Sequence, residues 1–326
     1  MLSNITLSRG FQAKKYSCIL LQAIRRKLRI NSVRSLLIAF ILCLSCVWHF
    51  AIPLHREVHI RLSKSPTLYH ENLQFDCSTI NKTFPLSAEA KLVSTKSGFQ
   101  MYVYHSDDIV SNSIVKHGVW EDVYVDFPNE SAVIDIGGNI CSWTLTWANL
   151  GHEVFTFEPL IQNAVFCLHS ICINKFQDRV RIWNVGLGEE EKQCSLYSHP
   201  DNKGDTMTVC GEDKIDKPYM KRQDFPIKRL DDLIVDGVFQ FIKMDTEGYI
   251  LPIIKGGKRV FGNAFAAKIE IWNPNEVDVI LGMTSWTKAK IYNGWFPRLR
   301  WLWIKYIKGK CNEDFWFSGF NFTRAA

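Results

Sequence analysis

The stretch Val133-Ile-Asp-Ile-Gly-Gly-Asn-Ile-Cys-Ser-Trp-Thr144 decides the fold. A short apolar run ends in two glycines, and a helix-prone segment follows. A strand, a glycine turn and a helix in this order are typical of the first unit of a doubly wound α/β sheet. Glycine lets the backbone approach a ligand closely, and the amides at a helix start favour a carboxylate or a phosphate. We therefore expect a ligand-binding turn at this point of the chain.

Short apolar runs alternate with helical segments on both sides of this turn. The sequence predicts strands over 132–136, 153–158, 180–185, 239–244 and 266–272, helices over 107–118, 143–150, 160–174 and 250–258, and a hairpin over 91–105. The segment from 186 to 228 is polar and carries no strand prediction. Continuous apolar runs are typical of parallel strands that are covered on both faces. The pattern therefore predicts a doubly wound, mostly parallel, Rossmann-like sheet.

The turn and the strand after it predict an adenosyl ligand. A nicotinamide fingerprint, G-x-G-x-x-G, would need glycines where this chain has Asn139 and Ser142. Asp135, just before the glycines, instead suits a ligand with an ammonium group. Glu158 ends the next strand 23 residues after Asp135, a spacing typical of an acid that binds ribose hydroxyls. Taken singly, a plain glycine turn and a surface glutamate are the alternatives.

A third strand, predicted over 239–244, leads into Asp245 and Glu247. Two carboxylates at a strand end could orient a hydroxyl and accept its proton as a general base. Asp245 could instead cap the following helix. Glu270 could reach the same cleft, and three carboxylates could hold a divalent metal. Ion-paired or solvated carboxylates are the favoured interpretation, so we predict no metal site.

Four motifs, in this order, resemble the FkbM family of S-adenosylmethionine-dependent methyltransferases over roughly residues 91–275. They are Asp135-Ile-Gly-Gly-Asn-Ile140, Phe157-Glu-Pro159, Arg229-Leu-Asp-Asp-Leu233 and Lys243-Met-Asp-Thr-Glu-Gly248. The resemblance implies a methyltransferase domain, which we expect over 91–326, and S-adenosylmethionine as cofactor. It also implies O-methylation of a hydroxyl, often on sugars or polyketide-like products, and a glycan or glycolipid is the expected acceptor.

The resemblance assigns a role to each motif residue. Asp135, Gly137, Gly138 and Asn139 would bind the methionine end of the cofactor, Glu158 would bind the ribose, and Asp245 and Glu247 would face the acceptor as catalytic residues.

Two residues of the turn depart from the family pattern. Gly138 stands where the family has alanine, a change we expect to be benign. Cys141 stands where the family usually has its second glycine, and its side chain could crowd the methionine tail. The alternative is therefore a catalytically inactive, methyltransferase-like membrane protein that acts as a trafficking adaptor or scaffold.

The N-terminal part of the chain predicts a membrane anchor. Residues 1–34 form a basic tail with eight Lys/Arg and no acidic residue. Residues 35–54 carry no formal charge and would span about 30 Å as a transmembrane helix. The positive-inside rule keeps the tail in the cytosol and places the rest, after a stem over 55–90, across the membrane. The expectation is a type II protein of the endoplasmic reticulum or Golgi with a lumenal domain. A mitochondrial membrane is the alternative, because the tail is arginine-rich and acid-free.

Glycosylation acceptors and cysteines add weaker support for the secretory route. Asn81, Asn129 and Asn321 each begin an acceptor triplet on the predicted lumenal side. Seven cysteines follow the anchor, and the favoured disulfide joins Cys194 to Cys210 across a turn-rich segment. Beyond residue 34 the net charge is only −2, so bulk charge gives no support to a nucleic-acid partner.

Overall fold

A computed structural model describes residues 68–69, 72–105, 108–121, 130–200, 202–211, 219–286, 288–291 and 313–318. The predicted basic tail and transmembrane helix lie outside these ranges, and so do the acceptors Asn129 and Asn321. None of the helices within the ranges combines the length and the apolar character that a bilayer span requires.

A seven-stranded sheet forms the centre of the described fold. In spatial order its strands are β14 (Lys288–Ile291), β15 (Glu313–Ser318), β13 (Ala264–Ile271), β12 (Phe239–Met244), β4 (Ala132–Ile136), β5 (Glu153–Phe157) and β6 (Val180–Trp183). The five strands from β13 to β6 are parallel, whereas β15 and β14 add antiparallel neighbours at one edge. The predicted doubly wound, mostly parallel sheet is thus confirmed.

The direction of strand addition reverses between β4 and β12. From β4 the chain adds β5 and β6 on one side, and later it returns to pair β12 and β13 on the other side. In such sheets a ligand binds outside the carboxyl ends of the strands at this switch point. Here the two strand ends are joined directly, because Asp245 N donates to Ile136 O at 3.1 Å.

Helices cover both faces of the sheet. The described helices are α1 (Ile80–Thr83), α2 (Ile109–His117), α3 (Ser142–Asn149), α4 (Ile161–Asn174), α5 (Leu230–Leu233), α6 (Ile250–Gly256), α7 (Lys258–Gly262) and α8 (Glu276–Met283). Neighbouring residues of a strand point to opposite faces. Val133 accordingly packs in one apolar cluster with residues of α3 and α4, and Ile134 packs in a second with residues of α6, α7 and α8.

The chain before the sheet is attached to it by local and distant contacts. The predicted hairpin is present as β2 (Ala90–Ser94) and β3 (Gln100–Tyr104). Residues 72–90, which the sequence suggested as part of a stem, pack on the domain. Leu73 N donates to Ile182 O at 2.7 Å, and Cys77 forms a disulfide with Cys172 of α4.

The polar segment after β6 folds into a sheet of its own, which the sequence did not predict. Its order is β7 (Gly186–Leu187), β10 (Met220–Lys228), β8 (Lys192–His199) and β9 (Asn202–Val209). Only a few apolar side chains, such as Leu196 and Phe225, form its small core, so the apolar signal is weak. The predicted Cys194–Cys210 disulfide is confirmed, and it ties this sheet together.

The predicted helix over 250–258 is divided into α6 and α7. A β carbon on Gly256 would lie 1.8 Å from Gly188 O, so this close approach needs a glycine. A new helix starts next because the Asp231 carboxylate accepts hydrogen bonds from Arg259 N and Val260 N, at 3.0 and 3.1 Å. Asp231 belongs to the third of the four motifs, which therefore supports the fold at this point.

Candidate active site

The glycine turn lies between β4 and α3 and is tightly coiled. Gly137, Asn139 and Cys141 have φ angles of 75°, 49° and 68°, in the left-handed region. Gly137 N and Gly138 N both donate to Phe157 O, at 3.0 and 3.1 Å, which ties the turn to the end of β5. Because a side chain disfavours positive φ, this backbone has to be held by its surroundings.

The two glycines of the turn are in close contact with neighbouring strands. A β carbon on Gly137 would lie 1.9 Å from Asp245 O, so only glycine fits there. A β carbon on Gly138 would lie 2.5 Å from Oγ1 of the buried Thr156. An alanine at position 138 would therefore collide with the Thr156 side chain, and glycine avoids this collision.

Asp135 lies fully buried beneath the turn. Its Oδ2 accepts hydrogen bonds from Thr144 N at 3.1 Å and from Thr144 Oγ1 at 2.6 Å. Cys141, the residue before α3, makes no capping hydrogen bond with its side chain, so Asp135 supplies the cap from the strand. The sequence-predicted cofactor residue thus holds the turn and the helix start together.

Lys243 is a residue of the site to which the sequence reasoning gave no role. Its Nζ donates to Gly137 O at 2.9 Å and lies 3.6 Å from Asp135 Oδ1 and 3.7 Å from Asp245 Oδ2. Its side chain is only 6% exposed. A lysine inside the mostly apolar strand β12 was the available signal, since buried charges are usually paired. Lys243 thus connects Asp135 and the glycine turn to Asp245.

Glu158 lies beside the turn at the end of β5 and is almost fully buried. Its Oε2 accepts from Asn139 N at 2.7 Å, and its Oε1 accepts from Leu160 N at 2.8 Å and from Asn163 Nδ2 at 3.4 Å. Burial raises the pKa of Glu158 to about 7, although these donors favour the charged form. A carboxylate has about four acceptor positions, so about one is left for a further donor such as a ribose hydroxyl.

Asp245, Glu247 and Glu270 bring three carboxyl groups to the ends of β12 and β13. Asp245 is partly exposed, and its carboxyl group is hydrogen-bonded to that of Glu270. Trp272 Nε1 donates to Glu270 Oε2 at 3.1 Å. Burial, and then the charges of Asp245 and Glu247, raise the pKa of Glu270 to about 8. A mostly neutral Glu270 can therefore donate to Asp245 near pH 7.

Glu270 is thus close to the predicted catalytic residues, as its place at the strand end suggested. Glu247 has a φ of 49° and precedes Gly248, so the chain turns sharply directly after the strand. Within the described ranges no group of three or more His, Cys, Asp or Glu side chains is arranged to bind a metal ion.

The Cys141 side chain does not stand free in the turn, contrary to the expected crowding of the cofactor. Its Sγ is bonded to Cys167 of α4, and both residues are fully buried in the apolar cluster of α3 and α4. Spacing could not reveal this pair, because disulfide connectivity cannot be read from one sequence.

Residues 135–287 match the family described as the Methyltransferase FkbM domain. No curated protein matches the chain.

Solved structures give more distant likenesses. An uncharacterized protein from Listeria monocytogenes serotype 4b is 9% identical with a TM-score of 0.34, and the match covers 60% of this chain and 64% of that one. Precorrin-6y C5,15-methyltransferase from Geobacter metallireducens is 12% identical with a TM-score of 0.31, over 59% of this chain and 82% of that one. The METTL16 methyltransferase domain is 10% identical with a TM-score of 0.37, over 76% of this chain and 93% of that one.

Proposed function

We propose that the chain, whose residues 135–287 match the Methyltransferase FkbM domain, is an S-adenosylmethionine-dependent O-methyltransferase for a hydroxyl of a glycan or glycolipid. One observation carries the proposal: the glycine turn touches the start of the carboxyl group cluster. Gly137 lies directly against the main chain of Asp245, whose side chain is 42% exposed. A cofactor-binding turn and a proton acceptor therefore meet at the switch point of the sheet.

The residues of the turn fit an adenosyl cofactor. Glu158 keeps about one acceptor position for a ribose hydroxyl. Gly137 and Asn139 are partly exposed and would form the wall at the methionine end. Asp135 would act indirectly, by capping α3 through Thr144. When bound, S-adenosylmethionine supplies an electrophilic methyl group on its sulfonium.

On the acceptor side, Asp245 is the group best placed to orient a hydroxyl and to accept its proton. Lys243 lies 3.7 Å from the Asp245 carboxylate and holds it next to the turn. Glu270 donates a hydrogen bond to Asp245 while it is protonated. Glu247 follows two residues later, at the rim of the same cluster. Holding the acceptor in line is expected to supply much of the rate, since alignment alone can remove a large part of a barrier.

The test of this proposal is methyl transfer to a cell glycan extract with labelled S-adenosylmethionine. We expect the wild-type chain to label a glycan or glycolipid, and Asp245→Asn to lower the rate by about 100-fold or more, because a general base is removed. Asp224→Asn, at an exposed carboxylate of β10, is the matched control and should keep the rate. Bound cofactor without any labelled glycan would reject the acceptor class. Absence of cofactor binding would favour the adaptor or scaffold alternative.

The same proposal includes a type II membrane anchor over 35–54 and a domain in the lumen of the endoplasmic reticulum or Golgi. Three disulfides among the described residues support an oxidising compartment. The basic tail before residue 35 supports the orientation.

We expect removal of N-linked glycans to increase the gel mobility of the full-length chain from cells. Asn81, an exposed residue of α1, is the acceptor within the described ranges. Asn81→Gln should remove one step of this shift, whereas Asn4→Gln, on the predicted cytosolic side, should not. An unglycosylated chain would favour the mitochondrial alternative.

A further inference from the structure

A disulfide fixes the last residue of the glycine turn. Cys141 lies directly before α3 with a φ of 68°, a backbone conformation that few residues other than glycine adopt. Its Sγ is bonded to Cys167, and the bond lies in a closed apolar cluster. The turn therefore has a covalent attachment to α4.

The backbone at Cys141 determines how the turn enters the helix. Cys141 N donates to Gly138 O at 2.7 Å, and Cys141 O accepts from Leu145 N at 2.9 Å. The residue thus closes the turn on one side and begins the helical hydrogen bonds on the other. A change of its φ angle would displace Gly138 and Asn139, and the proposed function assigns Asn139 to the cofactor.

Each left-handed position of the turn is held by a different contact. Gly137 needs no side-chain restraint, and its carbonyl accepts from Lys243. Asn139 is held by the hydrogen bond that its main-chain N donates to Glu158 Oε2, and by its own Oδ1, which accepts from Ile140 N at 2.8 Å. The side chain of Cys141 makes no capping hydrogen bond, so the disulfide is its attachment.

We propose that the Cys141–Cys167 disulfide is a positioning crosslink that holds a non-glycine residue in the left-handed conformation required by the cofactor turn. This inference rests on the proposed function and deepens it: cofactor binding belongs to the oxidised chain. Reduction breaks the S–S bond, and a dithiol supplies two electrons and two protons and itself becomes a disulfide. Two separate thiols need more room than the bonded pair, and a close-packed interior does not provide it. The turn would then shift, and the methyltransferase would work only where disulfides persist.

Two double variants separate the backbone effect from the loss of the crosslink. The alanine variant is Cys141→Ala with Cys167→Ala, and the glycine variant is Cys141→Gly with Cys167→Ala. Both lack the disulfide, and they differ by one methyl group at the left-handed position. Cys194→Ala with Cys210→Ala removes a different disulfide, in the sheet of β7 to β10, and is the control. The full-length chain in detergent is used throughout.

The measurements are the Kd of S-adenosylmethionine and the separate values of KM and kcat. We expect the alanine variant to bind the cofactor about tenfold more weakly, because the left-handed conformation disfavours a side chain. Its KM should rise more than its kcat falls. The glycine variant should stay within about threefold of the wild type, since glycine adopts positive φ freely. The control should bind as the wild type does.

Two results would overturn the inference. One is an alanine variant that binds as well as the wild type, and the other is a glycine variant that is as weak as the alanine variant. Hydrogen exchange of the amides of 137–144 distinguishes this failure from a failure of the proposed function. If the wild type binds no cofactor, the proposed function fails. If the amides of 137–144 then exchange faster in the alanine variant than in the glycine variant, the positioning role is still supported. Equal exchange rates in the two variants would reject it.

Discussion

Gly137→Ala is expected to abolish cofactor binding and to lower the free energy of unfolding by about 3 kcal/mol or more, since overpacking and a left-handed side chain both disfavour it. The new β carbon would lie 1.9 Å from Asp245 O, a main-chain atom of β12's end that cannot rotate away. Urea unfolding and a titration with S-adenosylmethionine measure the two effects.

Gly98→Ala is the matched control for this substitution. Gly98 has a φ of 87°, similar to the 75° of Gly137, but a β carbon there would meet no atom within 4 Å. Gly98→Ala should lower the free energy of unfolding by about 1–2 kcal/mol, which is the part due to the left-handed backbone alone. Equal losses of stability at the two glycines would show that Asp245 O lies farther from position 137 than a 1.9 Å contact to a β carbon requires.

Glu158 should make cofactor affinity depend on pH. Its pKa is raised by burial from 4.5 to about 7, so its contribution to folding stability is present below about pH 4.5 and is lost as the pH rises through about 7. The affinity for the cofactor should change with pH in the opposite direction, because ribose hydroxyls donate to the ionised carboxylate. We expect affinity to rise by up to about tenfold per pH unit below pH 7 and to level off above it.

Substitution of Glu158 should remove this dependence. Glu158→Ala loses a charged hydrogen-bond acceptor and should weaken cofactor binding by about 10- to 100-fold at pH 8. Titration with 5′-methylthioadenosine, which keeps the ribose and lacks the α-amino group, separates the ionisation of Glu158 from that of the ligand. An affinity that stays constant from pH 5.5 to pH 8 would show that Glu158 does not bind the ribose.

The sequence predicted the parts of the fold that depend on local pattern. The apolar runs of β4 and β12 have the predicted bounds, because both strands are buried on two faces and their runs stop at the glycine or the carboxylate that follows. Asp108 and Gly118 cap α2 at its two ends, where an acidic start and a glycine stop were readable. The predicted parallel strands also brought three parts of the site to the same carboxyl-terminal side of the sheet: the glycine turn, Glu158 and the cluster around Asp245.

Long-range contacts of the site could not be predicted in the same way. Two of the three contacts of Lys243 join it to residues more than a hundred positions earlier, Asp135 of β4 and Gly137 of the turn. The disulfide between Cys141 and Cys167 depends on how α3 and α4 pack against each other. The sheet of β7 to β10 is held by a small core and a disulfide, so its strands lack the continuous apolar runs of the central sheet.

If the proposed membrane anchor is present, the point at which the described fold begins limits how far the proposed site can lie from a bilayer. β1 (Leu68–Tyr69) pairs with β11 (Ile234–Asp236), so the folded domain already begins at residue 68. If residues 35–54 cross the membrane as proposed, residues 55–67 are the whole linker between the membrane helix and the described fold. Thirteen residues reach at most about 45 Å when fully extended. The site of such an enzyme would stay within a short distance of its own membrane. Lipid-linked or membrane-tethered sugars would therefore reach it far more often than freely diffusing ones.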